Sequence, residues 1–326
     1  MRERPLGARE RDDRSTGDLL MDVARRFYVD GESQVAIART LGMDPSTVSR
    51  DLKRARDEGI VHIEIRRPRR LREDLARELA VGFGLKRAVV AADGSESDAY
   101  ANVALAAAAY LDGQLANGLR LGLSWGRMLA AVIRAMGSTT ITDLELSLLH
   151  GGVGSVSDGI QGQELARHLA SLHPGSRVQY LHVPLLVDSS DIREALLRDG
   201  TIKAALDAAG DVDLAVVGIG ALDDGAPLVR YGHISAEDRR ALVDSGAVGD
   251  IATRFFDVRG KPVDVLDDRL LAVDWDALRR VPSLVAIASG TYKRDAIVGA
   301  LRSGCVDVLV TDESTASAIL RAPRAS

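Results

Sequence analysis

The 326-residue chain holds a single cysteine, Cys305, so it can form no intrachain disulfide and no cysteine metal cluster. A reducing compartment, the cytoplasm, is the expected location. Cys305 borders the apolar run VDVLVT with no histidine near it in sequence, and we read it as a buried structural thiol. Aromatic residues make up only 4% of the chain, which leaves few rings for a broad, flat cofactor to stack on. No cofactor is expected, and a small polyhydroxylated ligand fits better. The six histidines form no HxxxH or similar pair, and no GxxxxGK[ST] phosphate loop is present, so no metal site is expected either. GIGAL, at Gly218, is half a dinucleotide fingerprint that lacks its third glycine. No apolar stretch is long enough to span a bilayer. The charged start, MRERPLGARERDDRSTGD, has no apolar segment of the signal-peptide kind and reads as a flexible, disordered tail over 1–17.

What is present begins with an uneven distribution of charge. Residues 1–70 carry 16 Lys and Arg against 13 Asp and Glu, a surplus of +3, whereas the remainder carries -8 of the overall -5. A positive end on a negative body suits a protein that meets phosphates at one end. The densest basic stretch runs through Arg50, Lys53, Arg54 and Arg56 to Arg66, Arg67, Arg69 and Arg70.

Within that end, residues 34–54, QVAIARTLGMDPSTVSRDLKR, carry the pattern of a DNA-reading helix-turn-helix. A first helix is expected over 34–41 with Val35, Ile37, Ala38 and Leu41 on its buried side, closed by Gly42 in a left-handed conformation. Asp44 is placed to cap a second helix, with Pro45 at its first position. Val48 and Leu52 then share one face, which turns Ser46, Thr47, Ser49, Arg50 and Lys53 away from the core. In this motif the start of the second helix meets base edges, and nearby hydroxyls and cations grip phosphates. We assign contact with operator DNA to Gln34, Ser46, Thr47, Ser49, Arg50, Lys53 and Arg54. A preceding helix over 19–29 supplies Leu20, Val23, Ala24 and Phe27 for a three-helix core. IVHIEI, after Gly59, alternates like the strand of a winged variant.

Leu71, Leu75 and Leu79 recur every four residues and predict an amphipathic linker helix over 69–85, able to pack on the body or on its counterpart in another subunit. From residue 86 to 326, apolar runs alternate with helical stretches: RAVVAA, a helix over 98–115, LRLGLSWG, DLELSLLHGG, a helix over 163–172, VQYLHVPLLV, and a helix over 190–209. DLAVVGIGAL, LVAIASG, a helix over 292–301, VDVLVTDE and a closing helix continue the rhythm. This is an α/β domain with a parallel-rich sheet flanked by helices, joined to an all-α, winged helix-turn-helix domain over 18–68.

Ligands of open parallel sheets collect beyond the carboxyl ends of the strands. Gly122-Leu123-Ser124-Trp125-Gly126-Arg127 follows one strand and opens a helix, so its free backbone N–H groups and the Ser124 hydroxyl are placed to receive an anion. Gly151, Gly152, Gly218, Gly220 and Gly290 supply similar turns, while Asp250 and Lys293 add a carboxylate and an ammonium for hydroxyl, phosphate or carbonyl groups. No catalytic constellation assembles from the sequence.

Taken together, these residues resemble the SorC family of sugar-binding bacterial transcriptional regulators. The head matches in SQVAIARTLGMDPSTVSRDLKRARDEGIVHIEI, and the body in GLSWGRML, DLAVVGIGAL, SGAVGDIATRFFDVRGKPV and YKRDAIVGALRSGCVDVLVTDESTA. The resemblance implies an effector domain with the fold of sugar-phosphate isomerases and deaminases, turned from catalysis to sensing. It further implies homo-dimers or tetramers on palindromic operators, with a sugar, sugar phosphate or polyol altering DNA affinity. By position it assigns the GLSWG loop, Gly151, Gly152, Asp250 and Lys293 to the effector pocket. Members often carry two glycines before the lysine-bearing helix, whereas here Ser289 precedes Gly290. Two rivals accompany this reading: a sugar-phosphate isomerase or deaminase with an appended head, and an architectural nucleic-acid binder.

Overall fold

A computed structural model describes residues 16–61, 70–94, 96–152, 161–223, 227–230 and 233–322. The chain divides into two compact units, Met1–Pro68 and Arg69–Ser326.

The first unit packs three helices, α1 (Thr16–Tyr28), α2 (Gln34–Leu41) and α3 (Pro45–Asp57). Val23, Ile37, Ala38, Val48 and Leu52 form its buried centre, with Leu19, Phe27, Leu41 and Met43 around them. Ser33 caps α2 by accepting from the Ala36 N–H at 3.2 Å, and Gly42 closes it with φ 64°. Three expectations need correction. Val35 is 59% exposed, because it lies about 110° around the helix from the face that Ile37, Ala38 and Leu41 share. Asp44 has the extended backbone of an N-cap, but its side chain makes no capping bond. Helix α1 also begins at Thr16, inside the stretch expected to be tail. From residue 62 onward the expected wing strand lies outside the described residues, as does the tail over 1–15.

The second unit is built on a sheet in the order β1-β9-β8-β5-β2-β3-β4, whose neighbours all run parallel. Its elements are α4 (Glu73–Phe83), β1 (Arg87–Ala91), α5 (Glu96–Asp112), β2 (Arg120–Leu123), α6 (Arg127–Ala135) and β3 (Glu145–Leu148). Next come α7 (Gly162–Leu172), β4 (Arg177–Gln179), α8 (Ser190–Leu197), α9 (Gly200–Gly210) and β5 (Leu214–Ala221). After α10 (Pro227–Arg230) and α11 (Ala236–Asp244), the strands β6 (Ala247–Ile251) and β7 (Arg254–Asp257) form an antiparallel hairpin on the far end of β5. The chain closes with α12 (Trp275–Arg280), β8 (Ser283–Ile287), α13 (Arg294–Arg302), β9 (Val308–Asp312) and α14 (Glu313–Leu320).

The strands are buried on both faces, which is why they read as continuous apolar runs. Leu121, Leu123, Val216, Val285, Ile287, Val308 and Val310 pack with α5 and α6 on one face. Ala215, Val217, Leu284, Ala286 and Leu309 pack with α4, α13 and α14 on the other. Cys305 is buried on that second side, and burial pushes its thiol pKa up, in keeping with a structural role.

Several elements differ from the sequence pattern for local reasons. Of VQYLHVPLLV, only its first residues join β4, and the rest makes isolated bridges such as Gly152↔Pro184 and Leu186↔Leu270, since Pro184 has no N–H for a ladder. The helix expected over 190–209 breaks in two where the Asp199 carboxylate accepts from Thr201 and Ile202 N–H at 2.9 and 3.1 Å, capping a new helix. The helix expected over 292–301 opens with a 3-10 turn, Thr291–Lys293. The expected linker helix is α4, which packs on β1 and α14 with Leu79 fully buried. Leu71 precedes that helix and bridges Ala91 instead, where Arg72 N–H donates to Val90 O and Ala92 N–H to Arg70 O, each at 2.8 Å.

Candidate functional site

The first unit presents one polar helix face. Ser46, Ser49, Arg50, Lys53 and Arg54 are exposed along α3, and Thr47 is half-buried. The Arg50 guanidinium lies along this face, donating to Thr47 Oγ1 at 3.1 Å and to Ser46 O at 3.4 Å. Arg54 instead donates to Glu58 at 2.5 Å, an exposed pair that a phosphate can displace at little cost. Gln34 opens α2 and is half-buried. The residues at the start of α3 thus stand together on a surface with cations further along it.

In the second unit, a cavity of about 950 Å³ opens beyond the carboxyl ends of β2, β5 and β8, adjacent strands in the centre of the sheet. Connections leave in opposite directions on either side of the β2–β5 junction, so this is the switch point where parallel sheets hold ligands. From β2 the lining takes Ser124, Trp125, Gly126 and Arg127; from β5 it takes Gly218, Ile219, Gly220 and Ala221. Asp250 comes from the hairpin, and Ser289, Gly290, Tyr292 and Lys293 follow β8. Tyr100, Met128, Leu129, Asp223, Leu228 and Ile287 complete the described lining.

Local chemistry accounts for each wall. Gly126 (φ 127°) begins α6 without a side-chain cap, leaving N–H groups of the first turn available beside the exposed Arg127. Gly220 is needed because a Cβ there would collide with the Asp250 carboxylate opposite it in the β5–β6 pairing. Asp250 accepts from Thr253 N–H at 3.1 Å across a tight turn in which Ala252 and Thr253 both have positive φ, 46° and 66°. That turn stores backbone strain beside the cavity. Burial raises the Asp250 pKa to about 6, against the opposing pull of the Thr253 hydrogen bond and the Lys293 charge. Burial lowers the Lys293 pKa, partly offset by Asp250, and its ammonium donates to Ile219 O at 2.8 Å. Gly290 N–H is held by Asp312 Oδ2 at 3.1 Å and Thr315 Oγ1 at 2.9 Å, which fixes the loop that carries Lys293.

Nine of the residues assigned to the effector from sequence line this one cavity: Ser124, Trp125, Gly126, Arg127, Gly218, Gly220, Asp250, Gly290 and Lys293. Gly122, Gly151 and Gly152 are absent from the described lining. Gly122 allows Leu149 to pack on β2, while Gly151 and Gly152 lie against Val183 and Pro184, donating to Leu271 O at 2.8 Å and Val183 O at 2.7 Å. A Cβ at Gly151 would collide with the Val183 and Pro184 backbone, whereas at Gly152 it would crowd the Gln163 side chain. Tyr100, Asp223 and Tyr292 went unassigned because isolated aromatic and acidic residues carry no spacing signal.

Ser124 itself carries a further sequence signal, although its partner does not. Residues 122–126, GLSWG, also satisfy G-x-S-x-G, the spacing of a hydrolase nucleophile turn. Ser124 Oγ lies 3.4 Å from His150 Nε2, and both residues are buried. The backbone departs from that turn, however: Ser124 is not among the positive-φ residues, and the helix starts three residues later at Arg127. Among the described residues, no group of three or more His, Cys, Asp or Glu side chains is arranged to hold a metal ion.

A helix-turn-helix unit joined to an α/β body with a polar cavity at its strand ends defines a ligand-responsive DNA-binding protein. Residues 70–321 match the family model "Putative sugar-binding domain", and residues 23–55 match a helix-turn-helix domain model. The transcriptional regulator LsrR of Klebsiella pneumoniae is 33% identical over 308 residues, 93% of each chain. The deoxyribonucleoside regulator of Bacillus subtilis is 28% identical over 94% of this chain and 99% of its own. The full-length sorbitol operon regulator SorC from Klebsiella pneumoniae superposes with a TM-score of 0.70 at 29% identity, covering 93% of this chain and 99% of that one. The chain belongs to the SorC family of sugar-binding transcriptional regulators. No helix among the described residues is long and apolar enough to cross a membrane.

Proposed function

We propose that this regulator controls genes of carbohydrate or polyol metabolism, and that a sugar, sugar phosphate or polyol held at the strand ends sets its affinity for operator DNA. The observation that carries this reading is that Asp250 and Lys293 line one cavity together with Ser124, Gly126 and Arg127. Its walls mix acceptors for hydroxyl groups with cations and uncapped helix N–H groups for an anion or carbonyl. The names of two relatives, a sorbitol operon regulator and a deoxyribonucleoside regulator, refer to polyhydroxylated small molecules, which agrees with this lining.

In this reading Ser46, Thr47, Ser49 and Arg50 meet base edges, and Gln34, Lys53 and Arg54 hold the backbone of a palindromic operator bound by a homo-dimer or tetramer. The body senses without catalysing. The backbone at Ser124 supports this, because the residue lacks positive φ and the helix starts three residues later at Arg127, unlike a nucleophile on a strained strand-to-helix turn.

The test is operator binding by the purified chain on its own upstream DNA, at fixed salt, with a panel of sugars, polyols and their phosphates. A ligand-dependent shift in affinity is expected. Turnover of ribose 5-phosphate or an amino-sugar phosphate would instead favour an enzyme.

A further inference from the structure

The environment of Ser124 fixes what it can offer a ligand. The His150 ring is buried, and burial lowers its pKa to about 4, so at neutral pH it carries one proton. Its Nδ1 lies 2.8 Å from Gly151 O. A carbonyl oxygen only accepts, so that proton sits on Nδ1 and is donated to Gly151. Nε2 is therefore a bare acceptor, and it lies 3.4 Å from Ser124 Oγ. The hydroxyl that satisfies this pair is one whose hydrogen points at the imidazole. The Trp125 ring stands edge-on to His150 with ring centroids 6.5 Å apart. With its hydrogen directed at His150, the Ser124 hydroxyl has only lone pairs to offer a ligand in the cavity that this residue lines.

We infer that Ser124 is a specificity-determining residue: it accepts a hydrogen bond from a neutral hydroxyl of the effector and disfavours an anionic oxygen at the end of β2. The inference rests on the cavity being the effector site. It revises the role read for Ser124 from sequence, where its hydroxyl was available to an anion. Asp250 is a second acceptor lining the same cavity, which suits a ligand with several hydroxyl groups. The anionic or carbonyl end of the ligand then belongs beside Arg127 and Lys293. His150 acts as the positioning residue, since it sets the direction of the Ser124 hydroxyl without lining the cavity itself.

Two measurements on the full chain test this. Selective ¹⁵N-histidine labelling reports the tautomer of each of the six histidines, with the His150 signals assigned by their change in Ser124→Ala and loss in His150→Gln. The expected result is a neutral His150 protonated on Nδ1 between pH 6 and 8; an Nε2-protonated ring overturns the proposal, because Ser124 would then be free to donate. Calorimetric titration with pentoses, hexoses, hexitols and their phosphates then compares wild type with Ser124→Ala, whose fold is checked by thermal melting. The tightest binder should bind the variant about tenfold more weakly, the scale of one lost hydrogen bond. Among its monodeoxy analogues, one should bind both proteins equally, because the missing hydroxyl is the one Ser124 accepts from. Unchanged binding by Ser124→Ala, or the same loss for every deoxy analogue, overturns the assignment while leaving the sugar site intact. If nothing in the panel binds wild type, the sugar-site reading fails and this inference fails with it.

Discussion

Asp250 combines burial with a nearby cation, and its pH behaviour follows from which of these dominates. Its folded-state pKa, about 6, lies above the ordinary 3.8. Below the ordinary value its contribution to stability is fully present; as pH rises through about 6, the folded chain must hold a carboxylate that the unfolded chain hydrates freely. Stability is then lost, by up to about 3 kcal/mol for a shift of this size. Melting temperatures of wild type and Asp250→Asn between pH 5 and 7.5 should therefore diverge, with the variant gaining on wild type as pH rises; parallel curves would show that Asp250 does not titrate there. In the head, Arg50→Ala should cost about 1 to 3 kcal/mol at the preferred operator and little on unrelated DNA if Arg50 reads a base. An equal loss on both would make it a phosphate contact, which titration of the two duplexes at one salt concentration decides. Asp250 and Lys293 were legible as single residues because each sits in a short, glycine-flanked segment. The Ser124–His150 contact was not, since 26 positions separate the two residues and only the pairing of β2 with β3 brings their strand ends together.

At the scale of elements, the parallel strands were legible because burial on both faces leaves an unbroken apolar run. The β6–β7 hairpin was missed for the opposite reason: its turn residues, Ala252 and Thr253, have positive φ without a glycine, so no turn signal marks it. Helix α4 was legible as a helix, but its leucine spacing left open which surface it meets. Within this chain that surface is β1 and α14. Leu79→Ala should therefore destabilise the second unit by about 2 to 5 kcal/mol, as expected for truncating a fully buried leucine. A loss under about 0.5 kcal/mol in urea unfolding would mean that α4 is not part of that core. The segment leading into α4 is held as well. Arg72 pairs with Asp74 and Glu313, and Asp93 accepts from the backbone N–H groups of Glu313 and Ser314 at 3.2 and 2.9 Å. Asp312, one residue before Glu313, anchors the cavity loop through Gly290. These contacts run from the cavity to the point where the chain leaves for the head. As a hypothesis, Arg72→Ala should reduce the effect of ligand on DNA affinity while leaving ligand binding by the body unchanged; an undiminished ligand effect would remove this route.

For the whole molecule, regulation is a matter of linkage. A ligand changes operator affinity only by the difference in its own affinity for the chain with and without DNA. A coupling of about 1 to 3 kcal/mol, typical of such systems, corresponds to about 5- to 150-fold in operator affinity. The same factor must appear in reverse, as a change in ligand affinity when operator is bound. The separation of a positive head from a negative body was visible in the sequence, and so was the rhythm of the α/β sheet. The cavity was visible only as scattered loop residues, because the strand order that gathers β2, β5 and β8 is set by long-range pairing. The most direct test of the account is the affinity of the full chain for its own upstream DNA, titrated at fixed salt with and without each member of the sugar, polyol and phosphate panel. A change of at least about fivefold with one member, lost in Lys293→Ala, is the predicted result. Specific DNA binding that no member alters would contradict the central claim that the cavity governs the head.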